Sequence, residues 1–366
     1  MINSSLAGFV AEVLRHGEVF GIQGGPVGLA GGHLVPIDAD GLRAVQLSST
    51  RPGAALGAGR LAFSAGMLDD AARHLAERSI EGIAIIGGNG TMRLCEGLVA
   101  AAGRVGTGLR VVGIPKTVDN DLLGTDHSPG FPSAARCLIS LVGDLDIDHR
   151  SMTSIEPVRI VETLGRNVGW LALSSFLARR DIGDGPHVVL LPERCFTEQE
   201  LLDLVDDAVR VFGRALVVIA EGAAGDLSGW TFEKDVFDHP LQSAVGARLG
   251  AIIERKLGVR SRVEVPGLIQ RSCSWAVSPV DREEAWAVGV HGAHLLAMGR
   301  SGVMVSIERR SANASGDLIT TVALEDVAGR TRSVPPDWAV SATDAPDGLH
   351  DWLSPLLGPT REGGLR

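Results

Sequence analysis

Apolar runs of strand length alternate with longer amphipathic stretches through most of this chain, and that alternation sets the fold class. GMLDDAARHLAERSI has helical spacing, EGIAIIGG reads as a strand, TMRLCEGLVAAAGRVG as a helix and LRVVGIP as the next strand. Further on come VRIVETLG (strand), WLALSSFLARR (helix), HVVLLPE (strand), TEQELLDLVDDAVRVFGRA (helix) and LVVIAEG (strand). A βαβα order of this kind predicts an α/β fold, with a mostly parallel sheet covered by helices on both faces. At 366 residues the chain has length for two domains or one large unit. The stretch beyond about residue 311, with SANASGDL and VPPDWAVSATDAPDG, is polar and Pro-rich and predicts edge strands, loops and a mobile end.

Charge and cysteine usage exclude several functions. A formal net charge of −10 argues against nucleic-acid binding, which needs a basic face, yet leaves room for a small phosphorylated ligand held by a few arginines. Cys95, Cys137, Cys195 and Cys273 form no CxxC pair, as expected of reduced core thiols in a cytoplasmic protein. The opening MINSSLAGFVAEVLRHG lacks a basic n-region and carries Glu12 within its apolar stretch, so it is neither a signal peptide nor a membrane span. His291 and His294, three apart, have no third ligand near them in sequence and read as surface or packing residues.

The chemistry concentrates at predicted strand ends. LRVVGIP runs into KTVDNDLLGTD, which places Lys116, Thr117, Asp119, Asn120, Asp121 and Asp126 beyond the carboxyl end of a strand, where open α/β sheets bind ligands. Clustered carboxylates repel unless a cation, a proton or a basic partner offsets them. IIGGNGTMR sets Gly87, Gly88 and Gly90 between a strand and a helix, where backbone N–H groups can hold anionic oxygens. Glu162, Arg166, Glu221, Arg262 and Arg271 likewise follow or flank buried runs.

In order and spacing, GGNGT, PKTVDND, ETLGRNVGW, LLPE, AEG and GLIQR resemble the phosphofructokinases, from about residue 3 to about residue 305. GTDHSPGFPSAA and GRNVGW are most similar to the branch that includes pyrophosphate-dependent enzymes. The resemblance implies two Rossmann-like three-layer αβα domains with mostly parallel sheets. The phosphoryl-donor domain would span 1–130 plus about 272–325, the sugar-phosphate domain 131–271, and a C-terminal extension 326–366. It implies transfer of a phosphoryl group from pyrophosphate or ATP to the 1-hydroxyl of fructose 6-phosphate. Asp119 would take the hydroxyl proton, Thr117 would hydrogen-bond nearby, and Asp121 with Asn89 would hold Mg²⁺, which offsets the crowding of carboxylates. Gly87, Gly88, Gly90, Thr91, Lys116 and Arg60 would face the donor, with Arg166 beside the transferring group. Leu164, Gly165 and Glu221 would bind the sugar, and Arg262 and Arg271 its 6-phosphate. Some of these arginines come from a neighbouring subunit in the family, so a homodimer or homotetramer is implied.

The departures from the family pattern are specific. Met1-Ile2-Asn3 matches only the end of the usual GGDxPGxN loop, so a natural start upstream of Met1, with a strand and a glycine loop, is expected. The usual magnesium-binding Asp of GGDG is Asn89, the residue before IQR is Leu268 rather than histidine or tyrosine, and a substrate arginine is replaced by Pro157. Arg159, on the same strand face by alternation, is a candidate partial replacement. Gly90 matches ATP users and Lys116 matches pyrophosphate users. With Pro26 near the usual adenine-stacking position and no tyrosine in the chain, the balance favours pyrophosphate. The departures also motivate an alternative, a non-catalytic sugar-phosphate sensor or subunit partner, against which the intact PKTVDND stands.

Overall fold

The computed structural model describes residues 1–223, 244–309 and 318–359. Part of SANASGDL and the last seven residues lie outside them. Ten strands follow in chain order: β1 Val19–Ile22, β2 Leu34–Ile37, β3 Gly82–Gly87, β4 Arg110–Pro115, β5 Val158–Thr163, β6 Val188–Leu190, β7 Ala215–Ala220, β8 Ser261–Glu264, β9 Val303–Glu308 and β10 Leu318–Ala323. They divide between two compact units, Met1–Gly130 with Pro279–Thr331, and Phe131–Ser278 with Arg332–Arg366.

In the first unit the sheet order is β10-β9-β4-β3. β3, β4 and β9 are parallel, and β10 is an antiparallel edge strand on β9. Met92, Cys95 and Leu98 from the helix Asn89–Val105 pack with Leu75 and Val111 on one face. On the other, Phe9 and residues of the helix Pro279–Ala297 such as Val288 and Leu295 pack on Val112, Ile114 and Val305. Helices on both faces make this a three-layer unit. β1 and β2 form a separate antiparallel pair.

The second unit holds an all-parallel sheet in the order β6-β7-β5-β8. Every residue of β5 and β7 is buried, as expected of strands covered on both faces. The helix Glu198–Phe212 starts at Thr197, whose hydroxyl accepts the Glu200 N–H, and stops at Gly213 in the left-handed region. WLALSSFLARR, expected as one helix, is α-helical only over Trp170–Ser174 and tightens to a 3₁₀ turn over Ser175–Ala178. Ser174 and Ser175 donate their hydroxyls to Leu171 O and Ala172 O, three residues back, which loosens the α ladder there.

The C-terminal segment packs into this second unit instead of forming a separate extension. Trp338 and Trp352 stack around Trp170 at centroid distances of 6.1 and 5.3 Å. Arg332 lies over the Trp170 ring at 4.2 Å. The Glu193 carboxylate accepts N–H bonds from both Gly169 and Val334. Glu193, the acid of LLPE, is thereby a brace between two backbone segments.

Candidate functional site

In the first unit, Gly87 stands opposite Pro115 in the parallel β3–β4 register, so the loops that leave both strands start side by side. Lys116 N–H donates to Gly87 O at 3.0 Å and continues the ladder by one residue. A Cβ on Gly87 would meet Thr91 Oγ1 at 2.1 Å, so only glycine lets the helix Asn89–Val105 turn so tightly off the strand. Thr91 therefore packs against the turn. Gly88 caps that helix with no side-chain hydrogen bond, lies beside Thr117, and is followed by exposed Gly90. Thr91 N–H already donates to Gly88 O at 2.9 Å, so the N–H groups of Asn89 and Gly90 are the ones that an anion can use.

The acidic loop is bent by design of its own side chains. Asp119 N–H donates to Thr117 Oγ1 at 3.1 Å, and Asn120 occupies the left-handed region with φ 58°. That conformation suits asparagine among side-chain-bearing residues. Asn89 Nδ2 reaches both the Asp121 carbonyl (3.2 Å) and Asp121 Oδ2 (3.1 Å). The expected pair therefore meets, and Asn89 Oδ1 and Asp121 Oδ1 are both buried with no hydrogen-bond partner. Two unsatisfied hard oxygens beside a phosphate-suited helix start fit Mg²⁺, which binds through one or two carboxylates plus water and phosphate oxygens. Among the described residues no group of three or more His, Cys, Asp or Glu side chains makes a metal cage. Arg60 is exposed on the irregular stretch between the helices Ala39–Ser48 and Ala65–Glu77, so its part rests on the resemblance alone.

Behind this loop lies a residue to which the sequence attached no role. His127 is fully buried, with Nδ1 2.9 Å from Asp126 Oδ1 and Nε2 2.8 Å from Glu284 Oε2. Burial, the largest influence, opposes its charge, but the two carboxylates overcome it and raise the pKa to about 9. Asp126 thus serves this buried pair and not only the strand-end cluster in which the sequence placed it. No sequence pattern signals a partner 157 residues away.

In the second unit, Thr163 and Ala220 end the parallel β5–β7 pair in register, which brings Leu164, Gly165 and Arg166 beside Glu221. Glu221 N–H donates to Thr163 O, and Gly222 N–H to Gly165 O. A Cβ on Gly222 would meet Arg166 O at 1.9 Å, so this contact again requires glycine. Burial pushes the Glu221 carboxyl above its ordinary value; a backbone hydrogen bond from Gly165 opposes the rise, neighbouring Glu162 reinforces it and Arg166 counters it. Glu162 itself caps the helix Val245–Leu257 by accepting the Gly246 N–H at 2.8 Å.

The arginines expected at the 6-phosphate lie on other elements of the second unit. Arg262 pairs in register with Arg159, four residues below the end of β5, and is bound by Glu156 (3.0 Å) and Glu264 (3.1 Å). Arg271 is exposed on the single turn Ile269–Ser272, preceded by exposed Leu268. Arg159 does not replace the arginine missing at Pro157. It is 2% exposed and its guanidinium is taken by Asp148 at 2.6 Å and Leu145 O at 3.2 Å. A strand covered on both faces buries that side chain either way, and a buried arginine needs a carboxylate.

Comparison with known proteins identifies the family. The family model for phosphofructokinase matches residues 1–296. A sulfofructose kinase from Alkalicoccus urumqiensis is 35% identical over 357 residues, 98% of this chain and 92% of that protein. A pyrophosphate–fructose 6-phosphate 1-phosphotransferase from Rhodospirillum rubrum is 30% identical over 374 residues, 98% and 91% of the two chains. The crystal structure of a pyrophosphate-dependent phosphofructokinase from Marinobacter aquaeolei superposes with a TM-score of 0.85 at 27% identity, covering 99% of this chain and 91% of that one.

Proposed function

Because the chain belongs to the phosphofructokinase family, we propose that it transfers a phosphoryl group from pyrophosphate to the 1-hydroxyl of fructose 6-phosphate in a Mg²⁺-dependent reaction. The observation that carries this reading is the joined pair of loops, with Asn89 bonded to Asp121 and Asp119 two residues before it. Asp119 accepts the proton of the 1-hydroxyl as its oxygen forms a bond to the terminal phosphorus. The bond from that phosphorus to the bridging oxygen breaks, and orthophosphate leaves. The first turn of the helix Asn89–Val105, with Gly88, Gly90, Thr91 and Lys116, holds the donor oxygens, and Thr117 shapes the loop around the base. Bound Mg²⁺ would be held by Asp121 and Asn89 and would offset the charge of the donor phosphates. Arg166 and Arg60 steady the transferring group, and Leu164, Gly165 and Glu221 orient the sugar.

Arg262 and Arg271 bind the 6-phosphate, Arg262 serving the site of a neighbouring copy, which makes the enzyme a homodimer or homotetramer. Among the described residues no helix is long and apolar enough to cross a membrane.

A second acceptor is favoured by specific observations. Arg262 already faces two glutamates, Arg159 is committed to Asp148, and Leu268 offers no hydrogen bond. A sugar end with its cations so engaged suits a singly charged sulfonate over a phosphate dianion, in line with the sulfofructose kinase relative. Initial rates with fructose 6-phosphate and with sulfofructose, each against pyrophosphate and ATP, test the proposal. Turnover is expected with pyrophosphate and fructose 6-phosphate. A higher kcat/KM for sulfofructose selects the second acceptor, and no product from any combination overturns both.

A further inference from the structure

Ionised carboxylates only accept hydrogen bonds, so a ring with both nitrogens on carboxylates donates twice and is an imidazolium. His127 is therefore a buried cation joining Asp126, on the arm that follows the acidic loop, to Glu284 on the helix Pro279–Ala297. The same helix, one turn earlier, offers Asp281, whose Oδ1 accepts the Gly130 N–H at 2.8 Å. Thr125 Oγ1 donates to His127 O and accepts the Ile307 N–H, which ties the arm to β9 as well. Between these anchors the arm folds back on the acidic loop. Ser128 N–H donates to Asn120 Oδ1 at 3.0 Å, and Pro129 O accepts the Thr117 N–H at 3.2 Å. Asn120 is the left-handed residue that separates Asp119 from Asp121.

We propose that His127 is a positioning residue for phosphoryl transfer: bridging Asp126 and Glu284, it fixes the arm that holds Asn120 in its turn, and so sets where Asp119 and Asp121 stand. This rests on the reading of Asp119 as base and Asp121 as metal ligand. Displacement of reacting groups by about 1 Å costs on the order of 100-fold in rate, and lost support behind metal ligands costs about 10–100-fold in metal affinity.

The test compares wild-type protein with His127→Gln and the isosteric Glu284→Gln. It reads steady-state kinetics, thermal unfolding, and Mn²⁺ binding by electron paramagnetic resonance in the absence of substrates. Both variants are expected to lose about 10–100-fold in kcat with the acceptor KM unchanged, and to bind Mn²⁺ more weakly. Folded variants with wild-type kcat and Mn²⁺ affinity, whatever their melting temperature, overturn the proposal and leave His127 a core ion pair. Should His127→Gln fail to fold, Glu284→Gln decides alone. Wild-type protein that turns over no acceptor sinks the functional reading, while the Mn²⁺ comparison still judges His127.

Discussion

Replacing Asn89 by aspartate, Asn89→Asp, restores the charge usual at this position and separates two roles of the residue. Asn89 now donates to a carboxylate oxygen of Asp121 at 3.1 Å and to its carbonyl at 3.2 Å. Losing a hydrogen bond to a charged group costs about 1.5–3 kcal/mol, and one to a carbonyl about 0.5–1.5 kcal/mol. Two carboxylates at this separation would add a repulsion of order 4 kcal/mol at an effective dielectric near 20, much of which proton uptake relieves. The metal-free variant is thus expected to be about 2–4 kcal/mol less stable, a drop of about 5–15 °C in melting temperature. Saturating Mg²⁺ should return most of that loss, because two anionic ligands attract the ion where one did before. The half-saturating Mg²⁺ concentration should fall at least about tenfold, equivalent to 1.4 kcal/mol. Differential scanning calorimetry across a Mg²⁺ titration, with and without chelator, measures both effects. A metal-free variant that melts with the wild type, or a Mg²⁺ response equal in both proteins, would refute the pairing of Asn89 and Asp121 around the ion.

Two further outcomes follow from the same geometry. Lys116→Gly should lower the use of pyrophosphate relative to ATP by about 5–30-fold, since removing a cation from a compact anion costs about 1–2 kcal/mol; competition kinetics with both donors reads the ratio directly. His127 has its folded pKa raised to about 9 from an ordinary 6.5. Its contribution, of order 3 kcal/mol, is fully present below about pH 6.5 and is lost as pH rises through about 9. Urea unfolding of the wild type should weaken across that window, and His127→Gln should flatten the profile; parallel slopes would mean that another group titrates.

Much of this architecture is legible in the sequence because the strands that carry the site are buried on both faces. VVGIP and LVVIA are unbroken apolar runs, so the first polar residues after them, Lys116 and Glu221, mark strand ends without ambiguity. Glycine after a run marks a tight turn, as Gly87 against Thr91 confirms. Pairings between distant residues are a different matter. Period-two alternation places Arg159 on a face but says nothing of Asp148, which a helix brings from 11 residues away. The tail reads as loops because proline and polar residues dominate it. Only Trp338 and Trp352 hint that it has a core to join, and their partner Trp170 lies more than 160 residues earlier. His127 is the sharpest case, a histidine whose charge depends on neighbouring Asp126 and on a glutamate that a distant helix supplies.

The central claim, that Asp119 is the base of a phosphoryl transfer, is tested most directly by Asp119→Asn. Asn cannot take the hydroxyl proton, and losing a general base costs about 10²–10⁴-fold in rate. Rapid-quench measurement of phosphoryl transfer, run beside calorimetric titration of fructose 6-phosphate, should show turnover falling by that factor while the dissociation constant of the sugar phosphate holds. A variant that transfers phosphoryl groups at near wild-type kcat would remove Asp119 from the chemistry and contradict the account.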